Sequence, residues 1–144
     1  MGTVELERTL PASPAEVFAV VGDLCSYGDF VPLTRVEHDA GPPGVGWRFT
    51  GLSGVGPLAL VDRMEVTEWD PPHRFAVVKL GPVLAGGARV TLEPVGEGTR
   101  LLWQEEIVLR PTVLGRRLGG LTDPVTRWLF ARTLDAMTAR VTAG

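Results

Sequence analysis

Between residues 34 and 108 the chain offers a succession of short alternating segments, and only one long amphipathic stretch follows them. The segments 34–39, 46–52, 57–69, 73–80, 87–94 and 99–108 read as strands, since apolar and polar residues alternate along them. Turn chemistry divides them. Asp70-Pro71-Pro72 must break a ladder, because two consecutive prolines lack an N–H. Gly96-Glu97-Gly98 supplies positions that accept positive φ. The 18 glycines and 12 prolines gather at such joints, which makes them turns between hairpins rather than a low-complexity tract. A sheet of this many antiparallel strands cannot bury one face under one helix unless it curves around that helix. Curvature leaves space between the two, and that space is the physical origin of an internal cavity.

The flanking segments complete the order. Residues 3–10 alternate Val4, Leu6 and Leu10 with Glu5 and Glu7, as a half-buried strand does. Ser13-Pro14-Ala15-Glu16 then gives an N-cap, a proline at the first helical position and a capping-box glutamate. A short helix through Val21 should end near Gly22, and residues 24–32 read as a second short helix or turn. Asp123-Pro124 opens the long helix. Along it Phe130, Leu134, Met137 and Val141 form one stripe, widened by Val125, Leu129 and Ala136, with Arg127, Ala131, Asp135, Thr138 and Ala139 opposite. The expected architecture is α+β. It is a helix-grip fold, in which a curved antiparallel sheet of six to seven strands wraps a long C-terminal helix, with two short helices after the first strand. Residues 1–144 are read as one domain, a normal size for a core that needs no cross-link.

Charge and cysteine usage exclude several classes of function. The net charge is −3, and no basic run appears, so neither a phosphate backbone nor an anionic lipid surface is an expected partner. No apolar run is long enough for membrane insertion, and the first residues show no signal-peptide pattern. Cys25 is the single cysteine, which fits a reducing compartment, the cytoplasm by default. It has no histidine or basic residue nearby in sequence and reads as a buried, inert thiol. His38 and His73 lack further ligands around them, so no metal site and no cofactor is expected. The glycines at 51, 54 and 56 lack the Lys-Ser/Thr of a phosphate loop and read as a hairpin at a cavity entrance.

Several stretches together resemble the START-like (SRPBCC) superfamily, especially its polyketide cyclase/dehydrase-type branch. They are the first strand with Ser13-Pro14-Ala15-Glu16-Val17-Phe18, then Glu65-Val66-Thr67-Glu68-Trp69-Asp70-Pro71-Pro72 leading to Arg74-Phe75, then Gly98-Thr99-Arg100-Leu101-Leu102-Trp103, and the Gly115-to-Leu134 region. The resemblance covers nearly the whole chain. These are turn and packing signals, so they speak to fold and leave the chemistry open. The resemblance implies a binder of lipids, polyketides, hormones or other apolar ligands, in a family where some members are cyclases or dehydratases. Aromatic polyketide cyclases of this family tend to place an arginine among pocket aromatics. Trp47-Arg48-Phe49 is similar in wording, but alternation puts Arg48 on the opposite face, so no catalytic arginine is carried over.

Strand alternation selects the inward residues. In 57–69 the inner face carries Leu58, Leu60, Met64 and Val66 together with Asp62, leaving Val61, Arg63, Glu65, Thr67 and Trp69 outside. Ala88, Val90 and Leu92 face in from the next strand but one, and Leu101, Trp103 and Ile107 share a face with Glu105; the other face of 99–108 carries Leu102, Gln104, Glu106 and Val108, and a bulge would exchange the two. Asp62 and Glu105 are therefore the candidate general acid or base, since burial among apolar groups raises a carboxyl pKa. The competing reading pairs each with an inward cation such as Lys79. Candidate ligand contacts are Trp47, Phe49, Leu60, Met64, Val90, Trp103, Phe130, Leu134, Met137 and Tyr27, the only tyrosine; each also fits a plain core role. Residues 109–122 read either as a lid or as an ordinary connector. Three functions stay open: a small hydrophobic molecule bound and cyclised or dehydrated by acid–base chemistry, a non-enzymatic carrier or sensor of a lipid-like ligand, and a protein-interaction module using Trp128 and Leu102. A monomer or a homodimer fits each.

Overall fold

A computed structural model describes residues 2–30, 33–54, 60–81, 84–109, 127–128 and 130–142. The expected lid, the start of the last helix, Leu58, Gly56, Val125 and Leu129 lie outside the described residues. Seven strands form one antiparallel sheet: β1 (Gly2–Leu10), β2 (Thr34–His38), β3 (Arg48–Ser53), β4 (Leu60–Asp70), β5 (Arg74–Leu80), β6 (Leu84–Val95) and β7 (Gly98–Leu109). Their order across the sheet is β1-β7-β6-β5-β4-β3-β2. Strands β2 to β7 follow one another as hairpins, and β1 adds to the far side of β7, with Gly2 opposite Ile107 and Leu10 opposite Thr99.

Because β1 and β2 occupy opposite edges, the chain between them must cross the sheet. Two short helices make that crossing. The first, α1 (Pro14–Val21), is capped by Ser13, whose Oγ accepts from the Glu16 N–H at 3.2 Å. It buries Val17, Phe18 and Val21. The second is a 3-10 helix, Leu24–Asp29, which buries Leu24. Cys25 on it is exposed, contrary to the sequence expectation; a 3-10 helix repeats every three residues, so the neighbour of a buried leucine points away.

The last helix, α2, is described at residues 130–142. Leu134, Met137 and Val141 are buried in one core with Val4, Leu6, Phe75, Val90, Leu101 and Trp103, so the helix lies against the inner face of the sheet. Its apolar face is rotated from the expected one. Thr133 is buried and Ala131 and Thr138 half-buried, whereas Ala136 is exposed. Two contacts fix its placement. Asp135 pairs with Arg8 of β1 at 3.1 Å, and Arg140 lies 4.4 Å over the Phe30 ring while its guanidinium reaches Asp29 at 3.4 Å.

One irregularity changes which side chains face inward. The β4–β5 register slips between Val66 and Glu68. The extra residue reverses alternation, so Trp69 sits opposite inward-facing Phe75 rather than outside with Arg63. There its ring meets Phe18 edge-on at 5.2 Å, and Phe18 meets Phe75 at 5.8 Å. This aromatic cluster fills the α1 end of the core.

Candidate functional site

Three charged groups lie together on the inner face, supplied by three strands. Asp62 comes from β4, Lys79 from β5 and Glu105 from β7. Lys79 Nζ donates to Asp62 Oδ2 at 2.6 Å and stands 3.7 Å from Glu105 Oε1, with Met64 Sδ at 3.8 Å. The side chains of Lys79 and Glu105 are 5% and 6% exposed, which makes this a buried ion cluster rather than a surface pair.

The strand between Lys79 and Glu105 makes the meeting possible. Gly86 of β6 stands opposite both Lys79 and Ile107, and Ala88 stands opposite Glu105. Neither fills the space over β6, so an ammonium on β5 can approach a carboxylate two strands away. Gly86 has φ +105°, and a Cβ there would come within 2.1 Å of the Glu106 carbonyl oxygen. Only glycine fits that position.

Around the cluster the wall is aromatic. The Trp103 indole N–H donates to Glu105 Oε2 at 3.1 Å. Tyr27 packs its ring 6.2 Å from Trp103 and donates its hydroxyl to the Val21 carbonyl. Burial, together with the nearby charges of Glu105 and Asp23, pushes the Tyr27 pKa well above the ordinary phenol value. Burial likewise raises Glu105 to about 7; the Asp62 charge adds to this, while Lys79 and the indole N–H oppose it. Cys25 is pushed up by partial burial and by Asp23, which makes it a poor nucleophile despite its exposure.

The Glu105 shift has a definite sign in stability. Between about pH 4.5 and 7 the folded chain holds a proton that the unfolded chain has released. Stability therefore falls as the pH rises through that window, and above it the fold carries a cost on the order of 3 kcal/mol. Glu105→Gln should remove this dependence while keeping an acceptor for Trp103. Urea titrations at pH 5 and pH 8 check it: the variant should gain on wild type by on the order of 3 kcal/mol between the two.

The other residues singled out from sequence fall in two groups. Trp47 and Phe49 are buried 5.5 Å apart near the β3 edge, with His38 stacked on Trp47 at 5.4 Å. Phe49 is paired with Met64, which connects this group to the cluster. Val90 is fully buried between Phe75 and Trp103. Leu134 and Met137 are buried and Phe130 half-buried on α2. The backbone of Leu60 begins β4; its side chain lies outside the described residues. His73 is exposed in the β4–β5 turn. Trp128 is exposed under Arg132, and Leu102 is half-buried on β7. Sequence reasoning treated Lys79 only as a partner, whereas it is the hub joining both carboxylates. Its place on a strand with Phe75 and Val77 is the signal that marks it as inward.

A groove of about 320 Å³ lies on the opposite face of the sheet, where Thr3, Glu5, Arg89, Gln104 and Glu106 alternate outward. It shares none of the aromatic wall.

Seven antiparallel strands curved about a C-terminal helix define a helix-grip protein, and the inner face here is apolar and aromatic with a buried ion cluster. The chain belongs to the Polyketide cyclase / dehydrase and lipid transport family, which it matches over residues 1–142. Among curated relatives, an uncharacterized protein of Mycobacterium tuberculosis is 27% identical over 107 residues, covering 70% of this chain and 73% of that one. Among solved structures, a protein of Thermus thermophilus superposes with a TM-score of 0.79 at 22% identity, covering 98% of this chain and 97% of that one. The Zhui aromatase/cyclase of a Streptomyces species superposes with a TM-score of 0.76 at 19% identity, covering 97% and 93%. These likenesses establish the fold. Among the described residues no helix is long and apolar enough to cross a membrane.

Proposed function

We propose that this chain binds a small hydrophobic molecule, aromatic or polyketide-like, between the inner face of the sheet and α2, and that Glu105 acts on it as a general acid or base. The observation that carries this reading is a carboxyl with a pKa of about 7 buried on an aromatic wall. Such a group is half-protonated near neutrality, the condition in which it both gives and takes a proton effectively. Cyclisation and dehydration need such transfers, and a solved structure of the same fold bears the name aromatase/cyclase. Trp103, Tyr27 and Met64 would contact the ligand near the cluster, with Trp47 and Phe49 further along β3.

A specific observation favours a second reading, a carrier or sensor with no reaction. Both carboxylates are engaged by Lys79, and structural ion clusters perturb pKa as active sites do. Native mass spectrometry of the protein purified from its own host addresses both. A retained small molecule is expected. If Glu105→Gln leaves that molecule unchanged in mass and in occupancy, the carrier reading holds and the catalytic one fails. If no molecule is retained and apolar compounds do not bind, ligand binding itself is refuted.

A further inference from the structure

Hydrogen-bond capacity around the ion cluster is lopsided. With Glu105 ionised, the donors among the described residues are engaged. Lys79 directs its ammonium at Asp62 Oδ2, Glu105 Oε1 and Met64 Sδ, the Trp103 indole N–H is taken by Glu105, and the Tyr27 hydroxyl is taken by the Val21 carbonyl. The unspent capacity is an acceptor. Asp62 Oδ1 is buried and has no hydrogen-bond partner among the described residues. An unmatched buried carboxylate oxygen is costly, so a group that satisfies it gains affinity. The charge is lopsided in the same direction, because two carboxylates face one ammonium. A ligand carboxylate would bring a third negative charge and find no free donor among the described residues, whereas a neutral O–H would meet a waiting acceptor.

We infer that Asp62 is a specificity-determining residue, selecting an apolar molecule that carries a neutral hydroxyl and rejecting one that carries a carboxylate. This rests on the ligand-binding reading above, and it deepens that reading from an apolar ligand to an apolar alcohol or phenol. It also disfavours fatty-acid anions as ligands. The hydroxyl would donate to Asp62 Oδ1, with the apolar body against Trp103 and Met64.

The test uses three probes of one skeleton: 2-naphthol, 2-naphthoate and naphthalene. Each is titrated calorimetrically into the full chain at pH 8, where 2-naphthoate is ionised and 2-naphthol is neutral. The expected order is 2-naphthol tightest, by tenfold or more over 2-naphthoate, with naphthalene between. Asp62→Asn should narrow the gap between 2-naphthol and 2-naphthoate at least threefold, since it removes one negative charge and relaxes the hold on Lys79. Equal binding of all three, or a preference for 2-naphthoate, overturns the inference while leaving apolar-ligand binding intact. A 2-naphthol preference that persists unchanged in Asp62→Asn overturns the role of Asp62. Failure of all three to bind removes the ligand-binding reading and this inference together. The wild-type comparison stands even if the variant does not fold.

Discussion

Lys79→Met should be among the most damaging single substitutions in this chain, costing about 3–5 kcal/mol at pH 8. The methionine keeps most of the apolar stem, so lost packing is a small part of the effect. What remains is a pair of carboxylates, Asp62 and Glu105, facing a low-dielectric interior with no counter-charge among the described residues. Breaking a buried ion cluster from one side costs far more than the cluster itself contributes, because the orphaned charges keep their desolvation cost. The sign with pH follows from this. Glu105 is already held near 7 by burial, and loss of Lys79 removes the charge that opposes the rise. The variant therefore takes up protons on folding over a wider range, and its deficit should shrink as the pH falls towards 5. Chemical denaturation of both proteins at pH 5, 6.5 and 8 checks this. A deficit that stays constant with pH would mean that packing, not charge, dominates. Lys79→Met combined with Glu105→Gln should recover part of the loss at pH 8.

Gly86→Ala should cost about 3 kcal/mol or more, although it adds one methyl group. Two independent causes coincide. The backbone at Gly86 has φ +105°, a conformation that a residue with a Cβ adopts only with strain. The added Cβ would also press to 2.1 Å from the Glu106 carbonyl oxygen, a backbone atom with no freedom to swing away. The β6–β7 ladder must therefore shift at the point where it carries Glu105. Loss of stability by urea denaturation should be accompanied by a changed Glu105 titration, followed by the carboxyl carbon signal in NMR. Full stability in the alanine variant would show that the ladder is softer there than the geometry implies.

Alternation along strands was enough to place Asp62 and Glu105 on the inner face beside Trp103 and Met64, and to keep Arg48 off it. A period of two is rigid geometry, and it fails only where the backbone itself departs from it. That departure occurs at Val66/Glu68, where the bulge brings Trp69 inside. No side chain in Glu65-Val66-Thr67-Glu68 announces a bulge, so the sequence carries no local sign of it. The rotation of α2 was hidden for a related reason. Ala136 and Ala131 are alike in sequence, and which of them is exposed depends on where Arg8 and Phe30 hold the helix. Lys79 as the hub is also a tertiary fact, since it depends on the small inner face of a neighbouring strand rather than on its own surroundings in the chain.

The pairing of β1 with β7 also governs the order in which the protein forms. Gly2 and Ile107 are neighbours across the sheet, so about a hundred residues separate the two halves of that ladder. The hairpins from β2 to β7 close locally, but β1 has no strand to join until nearly the whole sheet is made. Val4, Leu6 and Leu10 then stay uncovered until β7 is made, in a segment ready to pair with the wrong edge. Long-range closure of this kind slows folding, because the loop entropy is lost before the contacts that offset it are formed. The strand made earliest of the seven is thus among the last to find its place.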